Sequence, residues 1–328
     1  MPGLVMRALV FLLAPAIAAG CGGLVARNSD GGAGPGSLGP PNCMRTLADD
    51  LHLTVPAGLP AFVNVQALAF DKAQNLYVLN RTSSTEAIVE VVSSVPKSFG
   101  QGQLGSTRDL IVADNDIIYL VEDRSGAFLP PLVKRYSTAG ADLGGWTADA
   151  GNQREGVGLA LDGEGLLNIS ALGHIYRYRP NGEFVDVYGR MGATSGQMMF
   201  PTGMAWDRAN GALLVADLFR NSVEKYTPGS DVQLADFGGR GTANGKFDGA
   251  EPTGSTYYGP SRIALDTAGK IYANDPFASR IQKFSANGAY LGQFSFGGST
   301  QVGPIAIHPV TGILYVGRGS SVDLVCPL

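Results

Sequence analysis

Residues 262–284 read RIALDTAGKIYANDPFASRIQKF. Three short apolar runs, IALD, IYAN and IQKF, are separated by two polar turns. In the first turn Asp266 can cap the turn backbone with its side chain and Gly269 can supply a positive φ. The runs are too short for helices and carry no 3.6-residue period, so the stretch reads as three antiparallel strands.

The unit recurs along the chain. Its third strand appears as IVEV (88–91), VKRY (133–136), IYRY (175–178), VEKY (223–226), IQKF (281–284) and VDLV (322–325). Its second appears as LYVL (76–79), IYLV (118–121), LNIS (167–170), LLVA (213–216), IYAN (271–274) and LYVG (314–317). The first appears as ALAFD, DLIVA, GLALD, GMAWD, RIALD and PIAIH. A fourth strand ends in an aromatic followed by glycine at Phe99-Gly100, Tyr188-Gly189, Phe237-Gly238 and Phe296-Gly297, and Trp146 keeps the aromatic alone. Six such units predict an all-β, six-bladed propeller of four-stranded antiparallel blades. Asp71, Asp162, Asp207 and Asp266 recur at one place and read as turn caps.

The sixth unit has three strands before the chain stops at Leu328. Residues 49–58 (DDLHLTVPAG) are expected to supply its outer strand, completing the last blade and covering an exposed edge. That pairing brings Cys43 near Cys326. A Cys43–Cys326 disulfide would close the ring, and two buried free thiols are the plainer alternative.

Bulk composition agrees with a large packed domain. Of 328 residues 45% are hydrophobic, and the 46 glycines and 19 prolines lie between apolar runs. The formal charge is −4 with dispersed cations, which argues against a nucleic-acid partner. Residues 1–20 have one early cation, Arg7, then an apolar stretch too short to span a bilayer, which is the pattern of a secretory signal peptide.

Ala18-Ala19-Gly20-Cys21 resembles the lipobox of bacterial lipoproteins, implying lipidation of Cys21. Cleavage after Ala16-Ile17-Ala18, leaving Cys21 a free thiol, is the alternative. Residues 21–42, rich in Gly, Pro and Ser, read as the lipid-attachment Cys and a flexible tether, and residues 43–328 as the propeller. The resemblance implies an exported, lipid-anchored protein at the outer membrane or cell surface, with periplasmic or secreted location as the alternative. Membrane contact is expected only through the lipid.

Residues 200–226 and 258–284 are similar to NHL repeats: a Pro-x-Gly or its relic, a strand, an Asp turn, a strand ending near Asp, a loop and a strand like RIQKF. The connectors YGRMGATSGQMMFP and FGGRGTANGKFDG resemble that family's Gly-rich links. The resemblance is strongest over 189–298 and implies fold more than function, because NHL propellers bind proteins, RNA or glycans and a minority of relatives are enzymes.

Catalytic candidates are few. The three histidines, His52, His174 and His308, occupy different places in the repeat and are not expected to converge on a metal. A calcium-type alternative would use Glu155, Asn168 and Asn274, with Glu155-Gly156 resembling the opening of gluconolactonase-like lactonases. Otherwise no cofactor is expected. The loops joining second and third strands offer Arg81, Arg124, Arg220 and Arg318 beside Glu122, Asp123, Asp217 and Asp275, with Phe128, Phe219 and Phe277 interleaved. Read as a surface, they suit a protein or glycan partner. Read as structure, Asp217 and Asp275 hold their own loops and the phenylalanines fold inward. The expectation is a noncatalytic binding or scaffold module at the cell envelope, with a metal-dependent hydrolase or lactonase as the alternative.

Overall fold

Each repeat folds as an antiparallel sheet in the computed structural model, which describes residues 51–327 apart from 82–85, 91–94, 125–128, 151–156, 249–258 and 298–300. Cys21, Cys43, Phe128 and Glu155 lie outside the described residues. Sheet one holds β1 (Val65–Phe70), β2 (Leu76–Arg81), β3 (Glu86–Glu90) and β4 (Lys97–Leu104). Sheet two holds β5 (Thr107–Val112), β6 (Ile117–Glu122), β7 (Leu132–Ser137) and β8 (Asp142–Thr147). Sheet three holds β9 (Leu159–Leu161), β10 (Leu167–Ala171), β11 (His174–Tyr178) and β12 (Phe184–Tyr188).

Sheet four holds β13 (Pro201–Asp207), β14 (Ala212–Asp217), β15 (Ser222–Tyr226) and β16 (Gln233–Gly238). Sheet five holds β17 (Ile263–Leu265), β18 (Ile271–Asp275), β19 (Arg280–Phe284) and β20 (Tyr290–Ser295). Sheet six holds β21 (Ile305–Ile307), β22 (Leu314–Arg318) and β23 (Ser321–Val325). Strands within each sheet pair in sequence order. The arrangement is a β-propeller. It corrects the expectation of six four-stranded blades: five sheets have four strands and the sixth has three.

The outer edge of that sixth sheet is met by residues 51–53. His52 forms an antiparallel bridge with Asp323, Leu53 N–H donates to the Val322 carbonyl at 2.8 Å, and Leu324 N–H donates to the Leu51 carbonyl at 3.1 Å. Cys326 follows β23, is 9% exposed and is disulfide-bonded.

The apolar runs read as strands because both of their faces are buried. In β2, Leu76 and Val78 point toward sheet six while Tyr77 and Leu79 point toward sheet two. The core is therefore six separate apolar clusters, one wedged between each pair of adjacent sheets, including sheets six and one. The first strands line the axis in the order β1, β5, β9, β13, β17, β21, with β21 in contact with β1. At the perimeter the fourth-strand aromatics bridge sheets: Phe99, Trp146 and Phe237 lie against the turn glycines Gly140, Gly182 and Gly288 of the next sheet.

Near the axis the backbones of neighbouring sheets nearly touch. Gly203 N–H donates to the Ser261 carbonyl of sheet five at 2.9 Å, and a Cβ at Gly203 would sit 2.5 Å from that oxygen. Steric exclusion thus explains the glycine of Pro201-Thr202-Gly203. Gly203→Ala is expected to lower stability by about 1–3 kcal/mol through overpacking. Gly292→Ala, on an outer strand with open space around its Cβ position, is expected to leave stability within about 0.5 kcal/mol. Urea midpoints of the two variants measure the contrast.

Candidate functional site

The loop-face residues are mostly engaged in holding the fold. Asp217, fully buried at the end of β14, accepts N–H bonds from Met199 (2.6 Å), Phe200, Phe219 and Arg220. Asp275 ends β18 in the same way, accepting from Asp248 N–H and from Arg280 Nε at 2.8 Å. Glu122 at the end of β6 accepts from Gly105 N–H at 2.8 Å. An acid at the end of the second strand therefore clamps the connector that enters its own sheet.

Arg220 does not face solvent as a display surface would require. Its guanidinium is nearly buried, binding Glu224, Asp236 at 3.1 Å and the Gln197 carbonyl at 2.8 Å. Phe219 stacks on Phe200 with ring centroids 4.8 Å apart. Arg318 pairs with Asp323 at 3.1 Å and lies over the Phe296 ring, and Arg124 donates to the Pro130 carbonyl at 2.7 Å. Arg81 reaches Ser106 Oγ at 3.4 Å, and Phe277 is 38% exposed. Of the two readings of this face, the structural one describes Asp217, Asp275, Arg220 and Phe219.

The calcium-type set does not assemble from its described members. Asn168 donates to Asp162 at 3.0 Å and accepts from the Tyr188 hydroxyl at 3.0 Å. Asn274 accepts from Ser261 and Arg262 N–H, both at 2.8 Å, and donates to the Val302 and Gly303 carbonyls. Counted from the start of their strands, Asn168 stands two places from the position Asn274 takes. Two offset, fully bonded amides do not form one coordination shell.

The histidines are equally scattered. His52 Nδ1 meets Asp323 at 2.6 Å, and His174 Nδ1 contacts the Leu172 carbonyl. His308 Nδ1 accepts from Val310 and Thr311 N–H, doing the work of the turn Asp, and burial holds its pKa below the usual value.

What stays open is the axis. A cavity of about 420 Å³ runs between the first strands of all six sheets and opens at the β1–β2 turn side past Lys72, Asp114 and Pro309. Beside it, and sharing Ile111, Val112, Asp114, Leu159 and Met204, lies a groove of about 680 Å³ walled by Tyr119, Pro180 and Trp206. Trp206 packs against Gly163, where a Cβ would come within 2.7 Å of the indole. Arg208 and Asp114 meet over this groove at 3.4 Å, both highly exposed.

On the loop side a smaller cavity of about 280 Å³ is lined by Gln66, Arg108, Val157, Thr202, Ser261 and Gly303. Arg262 lines both this cavity and the bore. Its Nη2 donates to the Arg108 carbonyl at 2.7 Å, a bond from sheet five to sheet two, three sheets away around the ring. Asp109 lines the bore as well, its oxygens accepting N–H bonds from Leu110 at 3.0 Å and Leu159 at 2.9 Å. Burial raises the Asp109 pKa, and the Arg262 charge and these two amides pull it back.

Arg262 and Asp109 escape a search for catalytic motifs, yet the repeat marks them. Aligned on the turn, their column reads Ala67, Asp109, Gly158, Gly203, Arg262 and Pro304. Four of the six are small or proline, as crowded backbones require, and two carry charge.

No protein-family model matches the chain, and no curated protein matches it in sequence. Solved structures share its architecture. A streptogramin B lyase is 11% identical with a TM-score of 0.56, covering 81% of this chain and 95% of that one. A protein of unknown function from Bacteroides thetaiotaomicron is 14% identical with a TM-score of 0.63, covering 83% and 70%. Virginiamycin B lyase from Staphylococcus aureus is 12% identical with a TM-score of 0.55, covering 81% and 85%. Identities this low establish the propeller fold alone.

Burial, reinforced by Asp217, pushes the Glu224 carboxyl up to about 7 even with Arg220 against it. The folded state then binds more protons than the unfolded one between pH 4.5 and about 7, so stability falls as pH rises through that window. Thermal melts from pH 4.5 to 8 are expected to show this slope, and Glu224→Gln to flatten it. Arg220→Ala leaves a buried carboxylate unpaired and is expected to cost roughly 3–5 kcal/mol at pH 8, with a smaller loss at pH 5 where Glu224 is protonated.

Proposed function

We propose that this chain is an exported, lipid-anchored, six-bladed NHL-type propeller that binds a protein or glycan partner at the bacterial cell envelope without catalysis. Cys21 carries the lipid, residues 22–42 tether the domain, and Cys43 is the disulfide partner of Cys326. Residues 51–53 supply the outer strand of the last blade. No cofactor and no nucleic acid enter this reading.

The observation that carries it is the distribution of polar side chains. Among the described residues Asp217, Asn168 and His308 are bonded into connectors and turns, whereas the turn-side groove keeps an apolar wall around Trp206 with Asp114, Asn115 and Arg208 at its rim. An aromatic wall with a few polar groups at the edge is the composition of a recognition site. This reading moves the binding surface from the loop face, where Arg220 and Asp217 serve the fold, to the opposite mouth of the ring. The lyase activity named for two of the structural neighbours belongs to those proteins. The calcium-type hydrolase would need Asn168 and Asn274 to give up the bonds described above.

Trp206→Ala is expected to weaken capture of the envelope partner by about 2 kcal/mol, roughly thirty-fold, as loss of a central aromatic does. Cross-linking to isolated envelope fractions, quantified for wild type and variant after melting curves confirm the fold, measures it. Unchanged capture would place the partner elsewhere.

A further inference from the structure

Arg262 pairs directly with no carboxylate among the described residues, although Asp109 acts on its charge through space. Arg177, Arg220, Arg280 and Arg318 each hold at least one carboxylate. Arg262 has two backbone carbonyls instead, Ser261 at 3.0 Å and Arg108 at 2.7 Å, and its Nε–H is buried with no acceptor. Asp109 faces the same bore but gives its oxygens to backbone amides. A guanidinium has five donors in a planar fork suited to carboxylate, and a buried donor without an acceptor costs about 1–3 kcal/mol. Arg262 lines the bore, which opens on the turn side.

Arg262 and Trp206 are also spaced along one path. Trp206 lies three strand positions beyond Gly203, the residue that aligns with Arg262, which is about 10 Å along the axis at the rise of a β-strand. The bore and the Trp206 groove share five lining residues, so one extended molecule can meet both.

We propose that the bore and the turn-side groove bind an acidic oligosaccharide, its terminal carboxylate on Arg262 and a sugar ring against Trp206. This rests on the binding reading above and names its ligand class. The carboxylate supplies the guanidinium with a charge partner from the bore, and the flat indole offers an apolar face to the C–H face of a sugar. No bond is made or broken.

The test is isothermal titration of the purified domain with two uronate disaccharides, cellobiouronate and digalacturonate, and with cellobiose as the neutral control. Saturable binding of at least one uronate is expected, weakened tenfold or more by Arg262→Gln and by methyl esterification of the sugar carboxylate. Arg262→Lys should retain part of the affinity, and cellobiose should bind at least tenfold more weakly. The ester reads the carboxylate on the wild-type protein, so the test stands even where Arg262→Gln fails to fold. Equal binding of acid, ester and cellobiose, all lost in Trp206→Ala, would overturn the Arg262 anchor while leaving the groove as a binding site. No binding of either uronate would overturn the acidic-saccharide assignment, and the cross-linking comparison would then decide the broader reading separately.

Discussion

The second strand of every sheet in this ring is buried on both faces, and the rest of the structure follows from that constraint. Leu76, Val78, Tyr77 and Leu79 on β2 are all essentially inaccessible, two toward each neighbour. A sheet of this kind is unstable alone and must be sandwiched. The apolar surface is divided among six wedge-shaped interfaces, each closed by aromatics such as Tyr136, Tyr178, Tyr226 and Phe284. Closing the ring forces the first strands together at the axis, where four of the six positions beside the neighbouring backbone are small or proline. The narrow bore is thus a by-product of packing before it is a site.

The same crowding governs the charges. In sheets two, four and five the incoming connector presents N–H groups that an acid at the end of the second strand collects: Glu122, Asp217 and Asp275. Once buried, these acids draw cations inward, as Arg280 is drawn to Asp275 and Arg220 to Glu224 beside Asp217. The mixed charges of the loops are therefore internal wiring for the most part. On the opposite face the turns are capped locally by Asp71, Asp162, Asp207 and Asp266 and leave the apolar ends of the first strands uncovered.

The fold was legible because its signal is repeated and local. Two-sided burial produces continuous apolar runs, and the Asp-Gly turns recur between first and second strands. The antiparallel approach of residues 51–53 to β23 followed from the missing strand alone. The site was less legible for the same reason. Arg220 and Asp217 draw attention as charges in a loop, but their burial depends on connectors whose paths no local pattern encodes. Trp206 reads as one more core aromatic, and only its place immediately before the turn Asp, at the mouth of the ring, leaves it accessible. Arg262 and Asp109 were visible only as departures from a column of small residues, a column whose meaning depends on how closely the inner strands approach.

The attachment of residues 51–53 also decides how the ring bears force. Leu51 is embedded between sheets five and six, Leu53 between sheets six and one, and the backbone bonds between them run to β23. Tension drawn along this segment loads those bonds in shear, so they resist together, where a perpendicular pull would peel them one at a time. The two leucines pin opposite faces of the same sheet, so the load spreads into two interfaces at once. This seam of the propeller is thus braced on both faces.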